Sequence, residues 1–424
     1  MNNRKVMAVV IVVVAVVLVA VAYFMINHGE DDGYRSSNTE GRLLIMGNAN
    51  NDDYLDQADI TSLENIISSE SDWKTENPLA DANNDGVVNQ ADIDMVQRMI
   101  SREAMDINYA YISGDSLVVR SIAYPVKNIV AVGDNVVLSL KTIGAEDRIV
   151  GIALSDSEDP IYSDVAGLPS VRGSSTTVPS ISLISNVADK DTVVVTSTSS
   201  RYVTNEAEIL QSQIPVVRFN VDGGESGMES IAGILTIGYL LGMEDEAAEY
   251  VRFCDDILTE VASRTDFIID KATFIATNRT TNVSGVYSEY YRIPILAGGT
   301  NVISSDETYT SWSPGMDWLY GYDFEYIVHS TSLGYGEQNE ADVYATYSAN
   351  FSTLQAYAEG NFVVVNANVP APIRVAYIAE IFYPEVFDEG YGDSLHQEFI
   401  NRFIKNLSGT YDVTSDGSFV ITQS

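Results

Sequence analysis

The stretch from Gly223 to Asp266 sets the plan of this 424-residue chain. Behind Gly223-Gly224, Glu225 and Ser226 open a first helix, whose apolar Ile231–Leu241 face stops at Gly242. Glu244-Asp245-Glu246 then place acid at the positive end of a second helix. Its apolar positions Ala247, Val251, Cys254, Leu258 and Val261 step by four and three, which is one face of an α-helix. About 21 residues at ~1.5 Å each make a rod of roughly 31 Å, long enough to join two domain centres. Strand and helix signals alternate on both sides of it, so the expectation is a rigid beam between two α/β lobes.

The strand candidates ahead of the beam are 117–119, 129–132, 149–154, 192–196 and 216–219, with helices near 135–143, 180–184 and 206–213. Behind it come strands 272–276, 301–303, 326–328 and 362–365, and helices near 313–320, 342–359, 372–382 and 393–407. Strands separated by helices imply mainly parallel sheets, one per lobe. At 46% hydrophobic, the chain can fill two or three cores.

Sixty acidic against 23 basic residues leave a formal charge of −37, which excludes a general nucleic-acid binder. One cysteine forbids internal disulfides, and Cys254 on the beam's apolar face reads as a packed thiol. The three histidines, His28, His329 and His396, are too few for a bare zinc or manganese site. No nucleophile triad or phosphate loop stands out, so an enzyme is not expected.

Met7–Ile26 is an unbroken apolar run behind Arg4-Lys5. Its length matches a bilayer core, giving an N-terminal transmembrane anchor with the bulk of the chain outside. A signal peptide cut near Ala20-Val21-Ala22 is the alternative. Residues 29–44 read as a polar tether.

Residues 45–105 hold an internal duplication. Asn48, Asn50, Asp52, Tyr54, Asp56 and Asp59 recur, offset by 33 positions, as Asp81, Asn83, Asp85, Val87, Asn89 and Asp92. Oxygen donors at loop positions 1, 3, 5, 9 and 12, with a backbone carbonyl at 7, suit a calcium ion. Position 6 calls for positive φ, supplied by Gly86 and tolerated by Asp53. Each loop runs into a helix with matching apolar residues, Ile60, Leu63, Ile66 and Ile67 against Ile93, Val96, Met99 and Ile100.

Over residues 45–102 this pair resembles a dockerin, a small all-α calcium module that plugs into cohesin domains. The resemblance implies calcium as the cofactor and a cohesin-bearing partner, contacted through Gln57-Ala58 and Gln90-Ala91. Asn48 and Asp53 depart from the family's Asp and Gly and imply weaker calcium binding in the first loop. A calcium-stiffened spacer without a partner is the other reading.

Five ordered fragments carry a second resemblance: Leu140–Ile152, Asp191–Val195, Ile214–Val217, Ala297–Val302 and Ile381–Phe387. Across about 115–405 the chain is similar to the solute-binding proteins of ABC importers for ferric siderophores, haem and cobalamin. That implies a first lobe at 115–222, the beam at 223–266 and a second lobe at 267–424. It also implies a metal-chelate or tetrapyrrole ligand and an ABC permease partner. Asp317 takes the usual place of the second lobe's permease-facing carboxylate, whereas Val137-Leu138 stand where the first lobe's should be. The tyrosine-rich segments suggest ligand contacts at Tyr202, Tyr287, Tyr290, Tyr291, Arg292 and Trp312, with Tyr287, Tyr290 and Tyr291 on one helical face. Tyr335 joins the aromatic residues expected near the cleft. Asn278, Asn282, Asn350 and Asn406 each begin a glycosylation sequon. A structural cell-surface component, with the calcium module as its working part, is the rival from another class.

Overall fold

The computed structural model describes residues 43–69, 72–113, 116–223, 228–279, 282–303, 311–313 and 315–423. The apolar run Met7–Ile26 and most of the tether lie outside them. Among the described residues, no helix is long and apolar enough to cross a membrane.

Each repeat of the N-terminal module ends in a helix, α1 (Gln57–Ser69) and α2 (Gln90–Ile100). Ile60, Leu63 and Ile66 pack with Ile93 and Val96 in one small core. Ile67 and Ile100, also equivalent by the repeat, are instead exposed. The module is not a separate bead. A hairpin of β1 (Met105–Ser113) and β2 (Ser116–Tyr124), unrecognised in the sequence, joins it to the body. Leu43 and Leu44, expected at the end of a tether, are buried. Ala110 donates to the Leu44 carbonyl at 2.8 Å, and the Leu44 N–H donates to Thr236 Oγ1 at 3.1 Å. One continuous core includes Leu43, Ile45 and Met99 of the module together with both lobes and the beam.

The first lobe is a four-stranded parallel sheet in the order β4–β3–β5–β6, from β3 (Asn128–Val132), β4 (Ile149–Ala153), β5 (Thr192–Ser197) and β6 (Val216–Phe219). Its strands are Val- and Ile-rich along their whole length because both faces are covered. Helix α3 (Asp134–Thr142) follows β3.

The beam is two helices, α4 (Glu229–Leu241) and α5 (Glu244–Thr265), and the expected opening at Glu225-Ser226 lies outside the described residues. Gly242 turns the chain between them at φ +69, a left-handed conformation that favours glycine. Of the predicted face, Ala247, Val251, Cys254 and Val261 are buried, while Leu258 is half-buried. Tyr250, Phe253 and Ile257 are buried as well, because α5 is covered on two sides. The Tyr250 and Phe253 rings meet Phe403 at 5.2 and 5.3 Å.

The second lobe is a seven-stranded sheet. Its parallel centre is β7 (Thr273–Asn278), β11 (Tyr326–Thr331) and β12 (Phe362–Asn366), with the short β9 (Thr300–Asn301) parallel to β7. Its edges run antiparallel, β8 (Asn282–Ser284) and β10 (Ser311–Trp312) on one side and β13 (Val420–Ile421) on the other. The helices that matter below are α6 (Glu289–Leu296), α7 (Met316–Leu319), α8 (Ala371–Phe382) and α9 (Tyr391–Phe403). The helix expected over 342–359 is broken into Glu340–Ser348, a short 3-10 turn and Gln355–Ala358.

Away from the beam the lobes are stapled together. Asn406, just past α9, donates to the Pro160 carbonyl and to Ser163 Oγ, both at 3.0 Å. Its Oδ1 accepts from Lys141 Nζ at 2.9 Å, and Lys141, 1% exposed in its side chain, also pairs with Asp164. Burial lowers the Lys141 pKa. Nearby, the Tyr335 N–H donates to Asp159 at 3.2 Å. Tyr335, expected at the cleft, is fully buried instead, and its hydroxyl lies 3.2 Å from His396 Nε2.

Candidate functional site

Parallel sheets offer binding crevices beyond the carboxyl ends of their strands, where loops and helix starts converge. Here the segment after β6 (Val221–Gly223) and helix α3 come from the first lobe. The turn after β12 (Ala367–Pro370), α8 and α6 come from the second. Together they enclose a cavity of ≈ 60 Å³. Asn135, Ser139 and Thr142 line it from α3, and Asn368, Arg374 and Glu289 from across the cleft.

Its centre is an ion pair. Arg374 Nη2 reaches Glu289 Oε2 at 3.0 Å, with side-chain exposures of 5% and 15%. The same Oε2 accepts the Gly223 N–H at 2.8 Å, so the second lobe grips the backbone of the first. Asp222 accepts from Asn135 Nδ2 at 3.2 Å. The crowding cleft walls, then the charge of Glu289, raise its carboxyl pKa. Solvent still reaches Asp222 at the mouth, which weakens that effect.

The sequence-predicted ligand residues fall elsewhere. Tyr202, Tyr287, Tyr290, Tyr291 and Arg292 are all absent from the cavity wall. Tyr287 precedes the cap residue Ser288 and is 36% exposed, so it shares no helical face with the others. Tyr291 is buried toward the lobe interior, its hydroxyl 3.5 Å from the Ile303 carbonyl. Arg292 lies over the Tyr291 ring. Tyr290 comes nearest to the site: burial, then the charge of Glu289, pushes its phenol up to about 12. Tyr202 is half-buried on the first lobe, where its carbonyl accepts from Arg218 Nη2. Trp312 contributes backbone pairing in β10, and its side chain lies outside the described residues. Glu289 stands inside the Tyr-rich segment with no mark in the sequence that sets it apart from its aromatic neighbours. Arg374 carried its own signal, a lone cation within the apolar run of α8.

Asp317 is exposed on α7, while Val137 and Leu138 are buried in α3 and present no carboxylate. Of the sequons, Asn406 has its amide nitrogen committed to the inter-lobe staple. Asn278 Nδ2 donates to Ser284 Oγ, and Asn282 Oδ1 accepts from Ser313.

The twin loops repeat the same hydrogen bonds at their last position. Asp59 accepts from the N–H groups of Asn50 and Asp56 at 3.2 and 2.8 Å. Asp92 accepts from those of Asn83 and Asn89 at 3.1 and 2.8 Å. Burial pushes the Asp59 carboxyl up to about 6 and raises that of Asp92 as well. The loops differ at their first position. Asp81 Oδ2 accepts the Gly86 N–H at 2.7 Å, whereas Asn48 turns its amide nitrogen to the Asp52 and Leu43 carbonyls. Asp53 does not take the positive φ expected of it, and the left-handed residues shared by the loops are Asn51 and Asn84. Among the described residues, no three His, Cys, Asp or Glu side chains form a group that could hold a metal ion. Gln57, Ala58, Gln90 and Ala91 are all exposed.

No curated protein sequence matches the chain. Solved structures do. The TroA-like periplasmic binding protein FepB from Veillonella parvula aligns at 16% identity over 72% of this chain and 97% of its own, with a TM-score of 0.56. CeuE of Helicobacter pylori with Ni(II) bound aligns at 16% identity over 72% and 98%, with a TM-score of 0.54. MolA of Haemophilus influenzae, bound to molybdate, aligns at 14% identity over 68% and 95%, with a TM-score of 0.51. Such identities establish a shared fold. The profile described as periplasmic binding protein matches residues 129–369, more than half of the chain and both walls of the cleft. The chain belongs to the periplasmic binding protein family, the solute-binding proteins of ABC transporters.

Proposed function

We propose that this protein is an extracellular, membrane-anchored receptor that hands a metal chelate or tetrapyrrole to an ABC permease. An iron siderophore, haem or a cobalamin-type ligand would fit that role. The observation that carries the reading is the buried Arg374–Glu289 pair, set in a cleft that both lobes close. Two relatives of the same fold hold Ni(II) and molybdate. Ligand pockets for molecules of drug size run to roughly 300–1,000 Å³. A cavity of ≈ 60 Å³ therefore requires the lobes to part at the Glu289–Gly223 contact for a whole chelate to enter. Asp317 would meet the permease from the second lobe.

The duplicated module would bind calcium. Its donors are hard oxygens, and the Asp carboxylates keep lone pairs beyond the single backbone N–H that each oxygen of Asp59 and Asp92 accepts. Calcium would supply charge compensation within the loops. Gln57-Ala58 and Gln90-Ala91 would then face a cohesin-type partner, and Tyr54 with Val87, exposed at equivalent positions, would widen that surface. The core shared by module and body, together with the inter-lobe staple, favours a second reading as a structural surface component. A binding screen of the exported portion against ferric siderophores, haem and corrinoids separates the two. Binding of one class supports the receptor, and silence from all of them supports the scaffold.

A further inference from the structure

A second cavity, of ≈ 240 Å³, lies in the second lobe and shares no lining residue with the ≈ 60 Å³ cavity between the lobes. Helices α8 and α9, the start of the helix Glu340–Ser348 and residues 413–420, which lead into β13, enclose it. Ile381, Val413 and Phe419 give it an apolar wall, and Glu340, Glu380 and Asp393 give it three carboxylates. At ~10–15 Å³ per water it has room for about 16–24 waters, enough for a chain of several methylenes and its charged ends.

Among the described residues, these carboxylates accept from neutral donors alone. Glu340 accepts from Ser418 Oγ at 3.0 Å, and Glu380 from the N–H groups of Gly390 and Gly392 at 2.7 and 2.9 Å. Asp393 Oδ1 accepts from Tyr377 at 2.8 Å. That donor is fixed in place: Tyr377 is 5% exposed, and its oxygen lies 3.2 Å from His396 Nδ1. Glu340 Oε2 and Asp393 Oδ2 meet no donor among the described residues. Acidic side chains on an open surface would simply be solvated. Here they share a concave space with apolar side chains, where lower polarity strengthens a charge-assisted hydrogen bond. A bare metal ion does not match the set, because among the described residues no three carboxylate, imidazole or thiol groups form a group that could hold one. Carboxylates spread around a cavity suit a flexible cation with more than one charged centre.

We propose that this cavity binds a linear organic polyammonium. Its methylenes lie against Ile381, Val413 and Phe419, and its ammonium groups donate to Glu340 and Asp393. The site is separate from the cleft and does not depend on the receptor reading.

The test is calorimetric titration of the full chain with spermidine, and with propylamine as the singly charged control. At ~0.15 M salt the diffuse field of the −37 charge is screened beyond ~8 Å, so general attraction to an acidic surface is suppressed. Spermidine should bind saturably at one site, at least about tenfold tighter than propylamine. Glu340→Gln and Asp393→Asn keep an oxygen for Ser418 and Tyr377, and each should weaken spermidine about tenfold. Asp256→Asn, an exposed change on α5 outside the cavity, should leave binding unchanged. Should Asp393→Asn fail to fold, the exposed Glu340 decides. Absence of saturable binding, equal affinity for the two amines, unchanged binding in Glu340→Gln, or equal weakening by Asp256→Asn overturns the inference. Each of those results leaves the receptor reading as it stands.

Discussion

Removing the Asn406 side chain should unlock the lobes. Asn406→Ala deletes two neutral hydrogen bonds of 3.0 Å, to the Pro160 carbonyl and Ser163 Oγ. It also deletes the bond that Lys141 Nζ donates at 2.9 Å. Neutral bonds contribute about 1 kcal/mol each and charge-assisted ones about 1.5–3 kcal/mol, for a gross loss of about 4 kcal/mol. Two features reduce it. Lys141 keeps Asp164 as a partner, and the half-buried Asn406 position lets water replace part of what is lost. The expected loss is therefore about 2–4 kcal/mol. Lys405, its neighbour, pairs with Glu146 at 2.8 Å but is 62% exposed, so Lys405→Ala should cost less than about 1 kcal/mol. Urea denaturation of the chain from Leu43 onward compares the two variants directly. Equal, small losses would show that the staple is a surface contact and would remove the argument for locked lobes. The same geometry forbids a glycan at Asn406, because the linking nitrogen is the atom that bridges the lobes. Peptide mapping of glycosylated material should find that sequon bare.

The beam supplies a second test: Ile257→Ala, at 2% exposure, should cost about 2–4 kcal/mol in the same assay, and the exposed Asp256→Ala almost nothing. Calcium titration should show two unequal sites, with Asp92→Ala removing the tighter one; no heat of binding would sink the calcium reading. Acid should also weaken the fold. Burial lowers His329 to about 4 and His396 to about 3, below the ~6.5 of an unfolded histidine. Folding thus favours the neutral rings, and the stability they contribute is complete above ~6.5 and lost as pH falls toward 4 and 3. His396→Gln should flatten the acid limb of a melting-temperature profile, and an unchanged limb would mean that this ring stays neutral in neither state's favour.

What the sequence determined by itself is whatever repeats over short distances. The beam was legible because helix periodicity needs only neighbours three and four apart. The strands of both lobes were legible because a strand covered on both faces is apolar along its length. The twin loops were legible because their donors lie within twelve positions and the duplication displays them twice. The tertiary structure decided the rest. Glu289 and Arg374 stand 85 positions apart, and neither carries a local mark of the other. Tyr291 and Tyr290 are adjacent in sequence, yet one faces the lobe's core and the other the charges of the cleft. The periodic signal could not say which side of α6 the core would claim. Strand β1 alternates only in part, because Tyr109 and Tyr111 join the main core on one face while Ala110 packs on the other with Leu44, Met46 and Leu79. Asn406 reads in sequence as a glycosylation site and becomes a bolt between lobes only when α9 brings it against Pro160 and Lys141. Local hydrogen bonding writes its pattern into neighbouring residues, whereas long-range burial and charge pairing are settled where the chain returns to itself.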